Sequence, residues 1–393
     1  MGTLIHLMAG SLQLDWGKNY GFINHSSLFL PSDKKNISYH YADGIFKNKP
    51  GHSSPLIMVK GRLDLCGYSL GSLKLLYEQY RDPYEGSNIL PFELVAQLLV
   101  NVDLNKYKPA EEYDELARGN FIFGEIADIP ELKQFQEETG ASDYDIAYEL
   151  ELIGAYILLR LFAENPQNKN VNIEWQSYDL IEAGWATEEE IFAEVDEKSK
   201  FLIVTEGSSD TLIIDKALQL LRPDIADFFS FVDMHNNYPF TGTGNLYNFC
   251  QGLVKIKVQN KILVIFDNDV EGNDKFEKVK KLDLPDNMRV MTLPYYADFE
   301  DFKTIGPSGA TIENINGKAV AIECFLDFFF KNHELPRIRW TNYNMHHDCY
   351  QGSLINKDDF VREFKSIRLV DSTYNFSKLN ILIDHIVSAC IQF

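Results

Sequence analysis

Residues 201–210 read FLIVTEGSSD, and residues 261–272 read KILVIFDNDVEG. Each stretch is a short apolar run that ends abruptly in carboxylates and then a glycine. Such runs are typical of buried parallel strands, which are apolar along their whole length. Helix-like segments alternate with further apolar runs at 228–232 and 289–293. This alternation predicts an α/β fold with a parallel, Rossmann-like sheet.

Three carboxylates end the two predicted strands: Glu206, Asp267 and Asp269. Because the carboxyl ends of parallel strands meet at one edge of a sheet, we expect these side chains to lie close together. Unpaired charges at such a place repel each other and are costly to desolvate, so a bound cation would explain them. Carboxylate oxygens on alternate residues suit Mg²⁺. The sequence therefore predicts a magnesium site, with Mn²⁺ as the alternative ion.

The ordered pair of motifs resembles the Toprim domain of type IA and type II topoisomerases, bacterial primases and OLD-type nucleases. In that domain, a strand ending in Glu-Gly is followed further along the chain by a strand ending in Asp-x-Asp-x-x-Gly. Here these are Glu206-Gly207 and the segment from Asp267 to Gly272. The resemblance covers residues 198–331. It implies that Glu206, Asp267 and Asp269 are catalytic and bind metal.

Further site residues are implied by the same resemblance. Asp210 matches an acidic residue that the family carries one helical turn after the glutamate, so it is a candidate metal ligand or orienting group. The dipole of the following helix explains an acidic residue there equally well. Candidate contacts to phosphate or substrate are Gly207, Gly242, Gly244, Gly272 and Lys275.

The flanking segments resemble bacterial proteins described as HEPN/Toprim-associated. The matching stretches are LDWGKN at 14–19, LDLCGY at 63–68 and NGKA at 316–319. This resemblance implies a role in prokaryotic defence against phage or foreign nucleic acid. Arg339 and His346 have the spacing of a HEPN ribonuclease motif, but the residues between them favour an extended strand, whereas HEPN motifs lie on a helix. We therefore expect no HEPN site.

The predicted organisation has three parts. An acidic α+β N-terminal region (1–197) precedes the α/β Toprim domain (198–331), and a small α+β extension (332–393) follows. In the first part we expect β-hairpins over 1–68, including Leu56–Tyr68, and then helices. The longest expected helix spans Asp143–Ala163. Thr187 and Glu190 have the spacing of a helix capping box.

The net charge of −21 is unusual for a nucleic-acid-binding protein, which usually carries a basic surface. Residues 1–199 hold 16 Lys and Arg against 32 Asp and Glu, so most of the excess precedes the predicted Toprim domain. One interpretation of the acidic residues across 111–145 is a set of solvated helix faces. The alternative is a docking or autoinhibitory surface for an activating or inhibitory protein partner.

The five cysteines are scattered and never form a CxxC pair, which favours a reducing cytoplasm. No apolar stretch is long enough to cross a bilayer, so we expect no membrane contact. Together these features favour a cytoplasmic, Mg²⁺-dependent endonuclease acting on DNA or RNA, with tRNA among the candidates, in anti-phage defence. The alternative is a non-catalytic Toprim module that regulates, or is activated by, a partner. Homo-oligomerisation stays open.

Overall fold

The computed structural model describes residues 3–40, 46–79, 90–109, 114–192, 195, 199–232, 242–256, 258–330, 335–368 and 373–393. The chain forms two compact units, Met1–Val195 (unit 1) and Asp196–Phe393 (unit 2). The predicted boundaries at 197/198 and 331/332 lie outside the described residues, as do Glu111 and Glu112 of the acidic stretch.

Unit 1 is built on an antiparallel sheet. Its strands are β1 Leu4–Ala9, β2 Leu12–Lys18, β3 Lys34–His40, β4 Phe46–Pro55 and β5 Asn172–Trp175. The order across the sheet is β2-β1-β5-β4-β3, and every neighbouring pair is antiparallel. The two outer pairs, β1/β2 and β3/β4, confirm the β-hairpins predicted for the start of the chain.

Helices follow these hairpins and pack with the sheet around one apolar core. They are α1 Leu56–Leu65, α2 Leu70–Gln79, α3 Phe92–Leu99, α4 Ala117–Ile126, α5 Pro130–Thr139, α6 Asp143–Leu152, α7 Ala155–Phe162, α8 Tyr178–Glu182 and α9 Glu188–Ile191. Trp175 on the central strand is fully buried in this core. The capping box predicted before α9 is confirmed, because the Thr187 hydroxyl accepts from the Glu190 amide while Glu190 accepts from the Thr187 amide.

Two of the predicted elements were wrong. Leu56–Tyr68 begins with helix α1, not a strand: Leu56, Val59 and Leu63 recur at helical spacing and are fully buried, so the segment buries one helix face. Asp143–Ala163 contains two helices, α6 and α7, because the backbone is extended at Ile153 (ψ 129°) and Gly154 (ψ 140°).

Helices α4 and α6 approach each other closely at Gly119. A Cβ atom at this position would lie 1.9 Å from the carbonyl oxygen of Ala147 on α6. Gly124, on the same helix, has nothing within 4 Å of the corresponding point. Only the first of these two glycines is therefore required by packing.

We expect the stability of unit 1 to fall between pH 7 and pH 5 because of His52. This side chain is 6% exposed, and its ring stacks on Phe192 with the ring centroids 4.3 Å apart. Burial, followed by the charge of Lys34, lowers the His52 pKa to about 4, although Asp33 and Glu188 oppose the shift. The unfolded chain therefore takes up the proton first, and stability is lost as the pH falls from about 6.5 towards 4.

The His52 contribution should be about 2 kcal/mol between pH 7 and pH 5, measured by urea unfolding of the full chain. The His52→Gln protein cannot take up this proton. Between pH 7 and pH 5 its unfolding free energy should therefore fall by about 2 kcal/mol less than that of the wild type. An equal fall in both proteins would contradict the prediction.

Unit 2 contains the parallel sheet that the sequence predicts. Its strands are β6 Phe201–Val204, β7 Phe229–Phe231, β8 Lys261–Phe266 and β10 Met288–Thr292, in the order β10-β8-β6-β7. All three pairings are parallel. Between and after these strands lie α10 Ser208–Leu221, α11 Thr243–Ile256 and α12 Val270–Lys280, which confirms the α/β character of this region.

A second sheet joins the remainder of unit 2. It has the order β12-β11-β14-β15, with β11 Phe302–Gly306, β12 Gly309–Glu313, β14 Ile338–Asn344 and β15 Cys349–Leu354. Two short strands, β9 Asn268–Asp269 and β13 Ala319–Val320, pair beside it, and the helices α13 Lys357–Ser366 and α14 Ser377–Ile391 complete the chain. The segment between Arg339 and His346 is extended in β14, as predicted. None of the described helices has the length and apolar character needed to cross a membrane.

Candidate active site

Glu206 lies just beyond the carboxyl end of β6, beside the end of β8. Its two carboxylate oxygens accept hydrogen bonds from different segments: Oε1 from the Asp267 amide at 3.0 Å and Oε2 from the Thr243 hydroxyl at 2.6 Å. Burial raises the Glu206 pKa to about 7, an effect that Asp269 reinforces and these two hydrogen bonds oppose. The side chain is therefore fixed in place and can hold or release a proton near neutral pH.

Asp210 lies in the first turn of α10 and faces the same region. Its Oδ2 atom accepts from the Gly207 amide at 2.8 Å, so it closes the start of the helix. Burial, then the carboxylates of Glu323 and Glu206, raise its pKa to about 8. Asp210 therefore caps the helix and also lies among the buried carboxylates.

Asp267 follows β8 directly. Burial raises its pKa well above the ordinary value, and the carboxylates of Asp210 and Glu206 add to the effect. Among the described residues, no side chain or amide donates a hydrogen bond to the Asp267 carboxylate. The helix after it packs tightly on its backbone, since a Cβ at Gly272 would lie 2.2 Å from the Asp267 carbonyl oxygen. Gly272 is thus required by this close approach.

Asp267 and Asp269 were expected to lie at one strand end, but the structure places Asp269 elsewhere. The strand β8 ends at Phe266, and Asp269 is the N-cap residue of α12. Its Oδ1 accepts from the Gly272 amide at 2.7 Å, and its Oδ2 accepts from the Gln351 side chain at 3.0 Å. Burial raises the Asp269 pKa. Both oxygens of this carboxylate already have protein donors.

Two charged residues that the sequence analysis missed, Glu323 and Lys357, lie beside these carboxylates. Glu323, 2% exposed, lies in a short 3₁₀ helix, Ile322–Phe325, and its Oε1 is 3.2 Å from the Lys357 ammonium. Burial lowers the Lys357 pKa, but the charge and hydrogen bond of Glu323, together with the charges of Asp210 and Asp267, outweigh burial, and the pKa ends above its ordinary value. Glu323 is a lone carboxylate in the apolar run AVAIECFL (319–326), a signal that could have identified it. We call Glu206, Asp210, Asp267 and Glu323 the carboxylate cluster.

The donor chemistry of the carboxylate cluster fits a hard divalent cation, because carboxylate oxygens are the ligands that Mg²⁺ prefers. Among the described residues, however, no three His, Cys, Asp or Glu side chains are already grouped as metal ligands. Asp267 receives no hydrogen bond from the described residues, whereas each oxygen of Glu206 and Asp269 already accepts one and has only its remaining lone pair for an ion. Asp267 is therefore the residue with which metal binding would begin.

The predicted phosphate contacts are placed unequally. The amides of Gly207, Gly242 and Gly272 donate to Asp210, to the Glu206 carbonyl and to Asp269 respectively. Gly244, in the first turn of α11, has open space around it. The Lys275 ammonium lies 5.8 Å from the centroid of the Tyr247 ring and 3.8 Å from Asp274. Of these five residues, Gly244 and Lys275 are the better placed to meet a phosphate.

The comparisons with known proteins concern the other half of the chain. The family described as HEPN/Toprim N-terminal domain 1 matches residues 1–199, just over half of the sequence, and the carboxylate cluster lies beyond the matched residues. No curated protein and no solved structure matches. The matched residues include the stretches at 14–19 and 63–68, which resemble HEPN/Toprim-associated proteins. The same region forms the hairpins and helices of unit 1. The chain belongs to the HEPN/Toprim N-terminal domain 1 family.

Proposed function

We propose that the chain is a Mg²⁺-dependent endonuclease that cleaves phosphodiester bonds, with unit 2 acting as a Toprim catalytic domain. The observation that carries this proposal is the convergence of the carboxylate cluster at the carboxyl ends of β6 and β8. Burial raises the pKa values of Glu206, Asp210 and Asp267, and the charges of neighbouring carboxylates add to the shifts, so the protein holds these groups where their charged forms are unfavourable. Clusters of this kind are typical of functional sites.

The residues would divide the chemistry as follows. Asp267, joined by Asp269 or Glu206, would hold Mg²⁺, or Mn²⁺ in its place. The ion, when bound, neutralises a phosphodiester oxygen and positions water for attack. Glu206, held between Thr243 and the Asp267 amide, would take the proton of the attacking water or return one to the leaving oxygen. Lys275 and the Gly244 amide would contact the substrate backbone.

The family name and the resemblance together favour an effector of anti-phage defence, acting on DNA or RNA in the cytoplasm. A second candidate function is a regulatory module that binds an ion without catalysis and acts through a partner protein. It is favoured by the hydrogen bonds that already occupy Glu206 and Asp269, since a partner could be needed to free them. The acidic unit 1 would be the surface for such a partner.

The test is cleavage of plasmid, single-stranded DNA and total tRNA in Mg²⁺, Mn²⁺ or EDTA, with wild type beside Glu206→Gln. Glutamine can still accept from the Asp267 amide through Oε1 and can donate to the Thr243 hydroxyl through Nε2, but it cannot exchange the proton. Metal-dependent cleavage should therefore fall at least about 100-fold while the protein stays folded. Glu277→Gln, on the exposed side of α12, is the matched control and should cut normally.

Two results separate the candidate functions. Glu206→Gln that cuts as fast as wild type would exclude the catalytic role of Glu206. A wild type that binds metal but cuts none of the substrates, with a Glu206→Gln variant that loses stability, would favour the regulatory module.

A further inference from the structure

Unit 2 contains a cavity of about 290 Å³ whose lining includes five aromatic rings. Phe299, Phe302 and Phe328 form its walls and meet edge to face, with ring centroids 6.0 Å apart at each of the two contacts. Because these rings hold one another in place, the walls are formed before any ligand arrives. The rim adds Phe329, which is 62% exposed and therefore presents its ring to solvent.

The polar groups of the cavity lie around this aromatic surface. The Lys378 ammonium is 3.5 Å from the Phe328 centroid and donates to the Cys324 carbonyl at 2.7 Å. Asp327 is buried, with its two oxygens accepting from the Phe329 and Asn375 amides. Asp298, Asp301 and the ammonium of Lys303 also line the cavity. The lining therefore offers carboxylate acceptors for N–H groups together with two lysine ammonium groups.

One short element connects this cavity to the candidate active site. The 3₁₀ helix Ile322–Phe325 contributes Glu323 to the carboxylate cluster. The next residue, Cys324, accepts the hydrogen bond from Lys378, and Phe325 packs edge to face on Phe299 at 5.6 Å. The cavity and the carboxylate cluster are therefore connected through three consecutive residues, 323–325.

We propose that this cavity takes one unstacked nucleobase of the substrate strand. Its volume is at the lower end of small-molecule pockets, about 300–1,000 Å³, which suits a single planar ring system. Phe329, the exposed phenylalanine of the lining, provides the stacking surface, and the carboxylates of Asp298 and Asp301 are acceptors for base amino groups. Since the cavity is assigned to the substrate of the candidate active site, this inference rests on the proposed function. The substrate class is accordingly single-stranded or locally unpaired nucleic acid.

The experiment is fluorescence anisotropy of a labelled 12-nucleotide single strand, as DNA and as RNA, and of the same sequence as a blunt duplex. Binding is measured in EDTA and in Ca²⁺, with wild type, Phe329→Ala and Phe46→Ala, each checked for an unchanged melting temperature. Phe46 is the matched control because it is 64% exposed but lies in unit 1. The comparison of DNA with RNA identifies which backbone accompanies the base.

Phe329→Ala should weaken single-strand binding by roughly 5- to 150-fold, the loss expected for one base–aromatic stack, while Phe46→Ala binds as wild type. The duplex should bind more weakly than the single strand and should not respond to Phe329→Ala. Equal binding by all three proteins, an equal loss in both variants, or no binding by wild type in either buffer would overturn the proposal.

The cleavage panel keeps the two proposals apart. Phe329-dependent binding without cleavage would retain the base cavity and reject the nuclease. Metal-dependent cleavage together with binding that Phe329→Ala does not change would retain the nuclease and reject the base cavity.

Discussion

Asp267→Asn is expected to reduce Mg²⁺-dependent cleavage at least about 100-fold and to remove the stabilisation that Mg²⁺ gives to the folded protein. Among the described residues, Asp267 is the cluster carboxylate that receives no hydrogen bond, so it is the natural first ligand. Asparagine has nearly the same shape but carries no charge. Cleavage rates and the shift in melting temperature on adding Mg²⁺ measure the two effects.

The same substitution should raise the melting temperature in EDTA. Asp267 lies among Asp210, Glu206 and Glu323, whose charges all raise its pKa after burial has done so. Removing one of these like charges relieves repulsion that no ion offsets in the metal-free protein. Loss of activity together with a gain of metal-free stability is a combination that simple misfolding does not produce.

Asp286→Asn is the control for Asp267→Asn. Asp286 is exposed and precedes β10, so it lies at the amino edge of the parallel sheet, opposite the carboxylate cluster. This variant should match wild type in cleavage, in metal-free melting and in the Mg²⁺ shift. An Asp267→Asn protein that keeps its Mg²⁺ shift would show that the ion binds elsewhere.

Gly119→Ala is expected to destabilise unit 1 by about 3 kcal/mol, at the upper end of the cost of overpacking. The added methyl group would overlap the Ala147 carbonyl oxygen, and a backbone atom in the middle of a helix cannot move aside as a flexible side chain does. Helices α4 and α6 would have to separate, which also weakens the bond from the Gly119 amide to Glu151.

Gly124 lies five residues further along α4, and Gly124→Ala should stabilise unit 1, where Gly119→Ala destabilises it. Gly124 is exposed with open space around it, so alanine should stabilise the helix by about 0.5–1 kcal/mol. Urea unfolding followed by tryptophan fluorescence reports mainly on unit 1, which contains Trp16, Trp175 and Trp185 of the four tryptophans. Equal stabilities for the two alanine variants would show that α4 and α6 do not pack as described.

The parallel sheet could be predicted from the sequence because its strands are short apolar runs, two of which, β6 and β8, lead into carboxylates. The helix α1 was missed, although Leu56, Val59 and Leu63 recur at helical spacing, because the alternation Leu63-Asp64-Leu65 also fits a strand. Glu323 and Lys357 were missed for a different reason. Glu323 meets the other carboxylates, and Lys357 meets Glu323, only through packing between segments that are far apart in sequence. No local sequence pattern around Lys357 indicates a role in the site.

The position of Asp269 shows the same limit. Two carboxylates separated by one residue share a side only while the strand continues, and here the chain turns into α12 after two further residues. Its partner, Gln351, is 82 residues away. The sequence thus identified the residues around the site, while the hydrogen bonds that restrain them depend on the tertiary structure.

The contacts of Gln351 with Asp269 and of Lys357 with Glu323 have a consequence for biosynthesis. A ribosome releases the chain from its amino end, and domains fold as units during synthesis. All four cluster carboxylates leave the ribosome before Lys357, the cation beside Glu323, and before Gln351, the amide that holds Asp269. A nascent chain therefore carries an unfinished site until residues 351–357 have left the ribosome and folded against it.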